Sequence, residues 1–144
     1  MTRVDFYILA AAEPQERLLF ACRLTEKAYR KGHQVYLHAA SAEQVTELNE
    51  LLWSYRAESF IPHNVVNDGA TSPARVEIGH QDDPITHADV MVNLADKIPT
   101  FFSRFMRVAE VVIQQPEVLA NARDSFGFYR DRGYPMKTHD LRKS

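Results

Sequence analysis

The sequence predicts an α/β fold, a single domain over residues 1–144 with a mostly parallel sheet and helices on both of its faces. A length of 144 residues is that of one ordinary domain. Segments rich in β-branched and aromatic residues alternate along the chain with segments of helical periodicity. This alternation is typical of a parallel sheet that helices cover. A composition of 45% hydrophobic and 25% charged residues is that of a globular protein.

The first part of the chain predicts two pairs of strand and helix. Residues 4–10 are rich in β-formers and predict a strand, and a helix follows over residues 14–31, where Gly32 ends it. Residues 34–38 predict the next strand. A capping box that starts at Ser41 opens the second helix. The apolar stripe of that helix comprises Val45, Leu48, Leu51 and Leu52.

Turn-forming residues divide the middle of the chain. Residues 65–73 and 81–84 predict two loops, because they are rich in Asn, Asp, Gly, Ser and Pro. The alternating polarity of residues 75–78, between the loops, predicts a short strand with one solvated face. Residues 90–94 predict a further strand, and Pro99 begins a short helix.

The last predicted elements are one strand and one helix. Residues 108–113 predict the last strand of the sheet. The final helix begins at Pro116 and is closed by Gly133. One side of it carries Leu119, Ala122, Phe126 and Tyr129.

The loops with which open α/β sheets bind nucleotides are missing. Residues 10–15 read AAAEPQ after the first strand, without the glycines of a dinucleotide fingerprint or of a P-loop. The six histidines show no compact metal-ligand spacing, and Cys22 falls on an apolar helix stripe, where a buried inert thiol is expected. The sequence therefore predicts no catalytic site, no metal and no cofactor.

The charge distribution limits the partners that the protein can have. A net charge of −2 argues against a protein that grips nucleic acid over its whole surface. Residues 117–144 carry 6 Lys and Arg against 4 Asp and Glu, which suits an anionic partner or is simply a solvated face. A single Cys fits a reducing compartment, and no segment approaches the roughly 18 apolar residues of a membrane span. We expect a cytoplasmic protein without membrane contact.

Two groups of residues are candidates for function. In the first, the only Trp, Trp53, precedes Phe60 and Pro62, and Pro62 forces Ile61 into an extended conformation. Aromatic residues held in this way are good anchors for a protein partner, but they also close a core over a sheet edge.

The second group lies on the final helix. Arg123, Gly127 and Arg130 have the spacing i, i+4 and i+7, so that two guanidinium groups share a face with a glycine gap between them and Phe126 beside them. A carboxylate with an apolar side chain could bind there, because arginine matches carboxylate geometry. Alternatively, Asp124 and Asp131 pair with the arginines on an ordinary exposed helix.

Taken together, these motifs make the chain similar to the chi subunit of bacterial DNA polymerase III. The resemblance rests on Leu52-Trp53, on residues 57–64 (AESFIPHN), on residues 73–78 (PARVEI) and on the end of the final helix. It implies a Rossmann-like fold without a nucleotide site and a non-catalytic accessory subunit. Its implied partners are the psi subunit, through psi the clamp loader, and the acidic, Phe-ending C-terminal tail of single-stranded DNA-binding protein, so that DNA is contacted only indirectly.

The resemblance also assigns site residues. It places the tail-binding arginine at Arg123 and its aromatic neighbour at Phe126, and the motif continues through Tyr129, Arg130, Gly133 and Tyr134. Gly127 departs from the family, because some relatives have a lysine there, and Arg130 or Arg132 would compensate for that cation. For psi, the resemblance points to Trp53, Phe60, Pro62 and His63.

The alternative function is that of a degenerate Rossmann-like enzyme or nucleotide-binding protein. It follows from the predicted sheet alone, which is shared by many enzymes.

Overall fold

The computed structural model describes residues 1–54, 61–66, 75–80 and 87–142. The strands are β1 Arg3–Ile8, β2 Val35–His38, β3 His63–Val65, β4 Val76–Gly79, β5 Val90–Asn93, β6 Arg107–Val112 and β7 Met136–Asp140. The helices are α1 Pro14–Arg30, α2 Ala42–Ser54 and α3 Pro116–Asp131, with a 3₁₀ helix at Phe102–Arg104.

The seven strands of the described residues form one sheet in the order β3-β4-β2-β5-β6-β1-β7, and every neighbouring pair is parallel. The prediction of a Rossmann-like α/β fold is therefore confirmed. The predicted helix boundaries at Pro14, Gly32, Pro116 and Gly133 are also close to the observed ones. Gly32 and Gly133 have φ values of 93° and 76°, in the left-handed region that glycine adopts without strain.

Alternate residues of the strands face two separate cores. Helices α1 and α2 cover one core, in which Leu18, Cys22, Leu48 and Leu52 pack against the strands. The 3₁₀ helix and the second half of α3 cover the other core, whose buried members are Val4, Phe6, Tyr36, Met91, Phe102, Phe105, Val108 and Tyr129. Because side chains of a strand alternate between faces, β1 sends Phe6 to the α3 side and Tyr7 to the α1 side.

Three sequence-based predictions about strands are wrong. Residues 108–113 are not in the last strand, since β7 follows α3 and pairs with β1. Part of the loop predicted for residues 65–73 is strand, because β3 includes Val65. The short strand is predicted to have one solvated face, but all four residues of β4 are buried, because β4 lies between β3 and β2. Val66 is in a turn, as the predicted loop requires, whereas residues 67–73 and the loop predicted for residues 81–84 lie outside the described residues.

No described helix has the length and apolar character needed to cross a membrane. Within the same part of the chain, no three His, Cys, Asp or Glu side chains come together as a group that could hold a metal ion.

Candidate binding site on the last helix

Helix α3 presents a stripe of residues with the spacing i, i+3, i+4 and i+7. Pro116 and Glu117 suit its first turn, because Pro needs no hydrogen-bond acceptor there and an acid complements the helix dipole. The stripe consists of Leu119, Ala122, Arg123 and Phe126. These four residues line a cavity of about 220 Å³ between α3 and the sheet. We call this the α3 cavity, and its lining is completed by Phe6, Ile8, Val112, Thr138 and Arg142.

The walls of the α3 cavity are mostly apolar, and aromatic packing holds them in place. The rings of Phe6 and Phe126 meet edge to face, with centroids 5.6 Å apart and planes at 89°. This is a favoured aromatic geometry. Phe126 nevertheless remains 37% exposed. A ring that enters the cavity can therefore contact Phe126 without displacing it.

Two guanidinium groups line the α3 cavity, and they differ in their partners. Arg142 donates two hydrogen bonds to Asp140, with Nε–Oδ1 and Nη2–Oδ2 distances of 2.9 and 2.7 Å. Arg123 is exposed, and within the described part of the chain it makes no ion pair or side-chain hydrogen bond. The Arg123 guanidinium is consequently the one available for an incoming carboxylate.

The other predicted residues of this group lie outside the lining of the α3 cavity. Arg130 Nε donates to Asp131 Oδ1 at 3.3 Å, as the alternative of an ordinary exposed helix expects. A Cβ at Gly127 would contact only Arg130 Nη2, at 3.9 Å. Tyr134 packs against the core beneath the end of α3, where its ring centroid is 5.2 Å from that of Phe102. The structure thus brings Arg123 and Phe126 together and separates them from Tyr134.

Sequence patterns missed five residues of the α3 cavity, because they come from β1, from β6 and from the segment after α3. Phe6 and Ile8 have the i, i+2 spacing of one strand face, which predicts a shared side of the sheet but no site. Thr138 and Arg142 depend on the unpredicted strand β7 and on the residues after it. Val112 faces the cavity from β6.

The predicted group around Trp53 lies at the opposite edge of the sheet, where α2 meets β3. Trp53 is 51% exposed, so it does not belong to the core. Its ring centroid lies 4.4 Å from that of His63, which is buried. His63 Nδ1 is 2.7 Å from the Ile61 carbonyl oxygen, and Nε2 is 3.3 Å from that of Asn49. Pro62 is exposed, and Phe60 lies outside the described residues.

A buried polar cluster occupies the carboxyl ends of β5 and β6, where related folds bind nucleotides. Asn93 Nδ2 and the Tyr129 hydroxyl donate to Glu110 Oε2 at 3.0 and 2.9 Å. Burial raises the pKa of Glu110 to about 7, and these hydrogen bonds and the charge of Arg17 oppose that rise. The neighbouring cavity has about 10 Å³, which is room for one water molecule and not for a nucleotide.

A buried hydrogen bond joins Tyr36 and His38 on β2. The Tyr36 hydroxyl lies 3.0 Å from His38 Nδ1. Burial, together with the charge of His80, lowers the pKa of His38 to about 4. A Cβ at Gly79 would lie 2.9 Å from the Tyr36 hydroxyl oxygen, so this close approach requires glycine.

Comparison with known proteins identifies the family. The family model described as DNA polymerase III chi subunit, HolC, matches residues 1–137. The chain belongs to this family. It is 48% identical over 141 residues to the DNA polymerase III subunit chi of Pseudomonas aeruginosa, with 98% of each chain covered. It is 29% identical over 118 residues to the Escherichia coli subunit chi, with 81% of this chain and 80% of the relative covered.

Membership of the chi family makes the chain an accessory subunit of DNA polymerase III and a protein of DNA replication. The resemblance seen in the sequence is therefore confirmed. The match to the family model ends at residue 137, so Thr138 and Arg142 of the α3 cavity lie beyond it.

Proposed function

We propose that this chi subunit links the clamp loader, through psi, to the C-terminal tail of single-stranded DNA-binding protein. The observation that carries the tail contact is the α3 cavity, a mostly apolar space of about 220 Å³ whose wall includes the Arg123 guanidinium, which has no ionic partner among the described residues. Such a cavity suits a peptide that ends in an aromatic residue. The terminal carboxylate binds Arg123, and the terminal ring packs against Phe126 and Phe6.

The strength of this contact follows from its two parts. A hydrogen bond to a charged group contributes roughly 1.5–3 kcal/mol, and the planar guanidinium matches a carboxylate. The aromatic ring adds apolar burial and an edge or stacked contact with Phe126. The tail is acidic, so Arg142 adds attraction even though Asp140 offsets part of its charge.

For psi we propose the surface around Trp53, His63 and Pro62, together with Phe60. Support comes from the 51% exposure of Trp53, since a large aromatic residue left half exposed is a typical interface anchor. The buried His63 ring packs against the Trp53 ring, with 4.4 Å between the two centroids. The α3 cavity lies across the sheet from this surface, so both partners can bind at once.

We further propose that the subunit is non-catalytic, works in the cytoplasm and reaches DNA through its partners. The volume of about 10 Å³ at the carboxyl ends of β5 and β6 argues against the alternative of a nucleotide-binding protein or enzyme. The net charge of −2 argues against direct gripping of DNA.

Fluorescence anisotropy with a labelled peptide of the acidic tail tests the α3 cavity. Arg123→Ala should weaken binding by roughly ten-fold to a hundred-fold, because it removes the charged hydrogen bond. Arg130→Ala is the matched control, since Arg130 is exposed on the same helix but outside the cavity lining. It should change the affinity much less.

A peptide with a C-terminal amide completes the experiment. The amide should weaken binding to the wild-type protein as much as Arg123→Ala does, and it should add little in the Arg123→Ala variant, because both changes remove the same contact. Additive losses, or wild-type affinity of the Arg123→Ala variant with an intact circular dichroism spectrum, would show that the carboxylate does not bind Arg123.

A further inference from the structure

A second cavity, of about 210 Å³, lies on the other face of β1 from the α3 cavity. We call it the α1 cavity, because the C-terminal half of α1 forms one of its walls. Asp5 and Tyr7 of β1 and His139 of β7 form the opposite wall. Because side chains alternate along a strand, β1 and β7 separate the two cavities and contribute different residues to each.

Three cationic side chains line the α1 cavity. Lys27 lies in the last turn of α1, Lys31 is the C-cap residue of that helix, and Arg107 comes from β6. Within the described part of the chain, neither lysine makes an ion pair or a side-chain hydrogen bond. Both are exposed. Two positive charges that have no ionic partner among the described residues therefore lie at the opening of the cavity.

Asp5, the acidic residue in the lining, does not neutralise these lysines, because it is already paired with Arg107 and His139. The Asp5 side chain is 4% exposed. Its Oδ2 atom lies 3.1 Å from Arg107 Nη2, and its Oδ1 atom lies 3.0 Å from His139 Nε2. Asp5 thus fixes the positions of Arg107 and His139 and leaves the rim positively charged.

One part of the α1 cavity is apolar and is lined by aliphatic side chains such as Leu24, Val90 and Val92. The ring of Tyr7 is not available as a stacking platform on the side of β7. His139 covers it there in a parallel arrangement, with centroids 4.4 Å apart and planes at 7°. The cavity therefore offers an aliphatic pocket of side-chain size under a cationic rim.

We infer that the α1 cavity binds an acidic peptide segment that inserts one apolar side chain between α1 and β1. The carboxylates of the segment contact Lys27 and Lys31, and the inserted side chain contacts Leu24 and the valines of the sheet. This inference is independent of the tail site, because Arg123 and Phe126 lie on the other face of β1.

Other anions fit the α1 cavity less well. Inorganic phosphate would engage the lysines but leave the apolar interior unfilled. Single-stranded DNA binds through phosphate contacts and stacking of bases on aromatic rings. In the α1 cavity His139 covers one face of the Tyr7 ring, and the remaining apolar lining residues are aliphatic. Charge and shape together favour the peptide.

The test uses the full chain and four labelled pentapeptides with a C-terminal amide. Each has two Asp on either side of a central Leu, Ile, Phe or Trp, and a fifth peptide with central Ala is the reference. At low salt, at least one of the four should bind with an affinity better than about 1 mM and more tightly than the Ala peptide, because only the apolar side chain fills the cavity.

Amino-acid substitutions test whether the peptides bind in the α1 cavity. The double substitution Lys27→Ala and Lys31→Ala should weaken binding by about ten-fold or more. The matched control is Arg23→Ala, which removes an exposed cation of the same helix outside the cavity lining and should leave binding within about two-fold. Ala28→Phe should block the cavity, and Arg123→Ala should leave the affinity unchanged.

Several results would overturn the inference. If none of the four peptides bound, the inference would be wrong. It would also be wrong if the Ala peptide bound equally well, because no apolar side chain would then be inserted in the cavity. Tighter, lysine-dependent binding of an oligothymidine would make this surface a nucleic-acid contact instead. Loss of binding in Arg123→Ala would assign the peptides to the α3 cavity and leave the α1 cavity empty.

Discussion

Replacement of Glu110 by Gln should change how the stability of the protein depends on pH. Burial raises the pKa of Glu110 from 4.5 to about 7 in the folded state. Between these values the folded protein binds a proton that the unfolded chain has lost, so the free energy of unfolding falls as pH rises. At about 1.4 kcal/mol per pH unit, the full effect is about 3 kcal/mol.

His38 acts in the opposite direction in an overlapping pH range. Its pKa is lowered from 6.5 to about 4 in the folded state. Between these values the unfolded chain binds the additional proton, so the free energy of unfolding rises with pH, again by about 3 kcal/mol in total. The two slopes oppose each other from about pH 4.5 to 6.5, so the contributions of the two groups to the free energy of unfolding should nearly cancel there.

Urea unfolding followed by far-UV circular dichroism at several pH values checks this reasoning. Glu110→Gln keeps an oxygen that can accept from Tyr129 and Asn93, and it should uncover the rising slope of His38 between pH 4.5 and 6.5. Its stability relative to the wild type should therefore increase with pH up to about pH 7. His38→Gln is the reciprocal variant and should uncover the falling slope. If Glu110→Gln and the wild type have parallel pH profiles, Glu110 is ionised in the folded protein and the argument fails.

Three further outcomes are expected. Trp53→Ala should weaken the psi complex by about 2 kcal/mol or more in calorimetric titrations and leave the melting temperature nearly unchanged, because the side chain is 51% exposed. A sharp drop in melting temperature with normal psi binding would instead make Trp53 structural. Gly127→Lys should tighten tail binding if a cation on this face of α3 contributes to it. The same substitution should raise the free energy of unfolding by up to about 1 kcal/mol, because Lys has a higher helix propensity than Gly and a Cβ there would contact only Arg130 Nη2, at 3.9 Å. The isolated protein should show negligible affinity for single-stranded DNA at physiological salt, and strong salt-dependent binding in a fluorescence titration would contradict this.

Elements whose local sequence agrees with their packing could be predicted. Helix α1 is an example, because Pro14 begins it and Gly32 ends it with a positive φ. Strand β7 could not be predicted, since Met136–Asp140 reads MKTHD, which has few strong β-formers. It is a strand because the edge of β1 offers backbone partners from Val4 to Ile8. This strand pairing is a tertiary contact, and it leaves no periodic pattern in the sequence.

The candidate site also has one part that the sequence predicts and one part that it does not. Helical spacing brings Arg123 near Phe126, and the sequence alone therefore predicts this pair. The same spacing also grouped Arg130 with Arg123, but only the position of the sheet decides which of them reaches a cavity. Lys27 and Lys31 carry an i, i+4 signal as well, yet nothing local distinguishes two lysines beside a cavity from two lysines in solvent.

The pairing of β1 with β6 and β7 has a consequence for synthesis of the protein on the ribosome. Val4 pairs with Val108 and Met136, so the first strand remains without its sheet neighbours until more than a hundred further residues have been translated. At roughly 5–20 residues per second, this delay lasts many seconds. The α3 cavity combines Phe6 with Arg123 and Arg142. The complete lining of the α3 cavity therefore forms only after residue 142 has emerged.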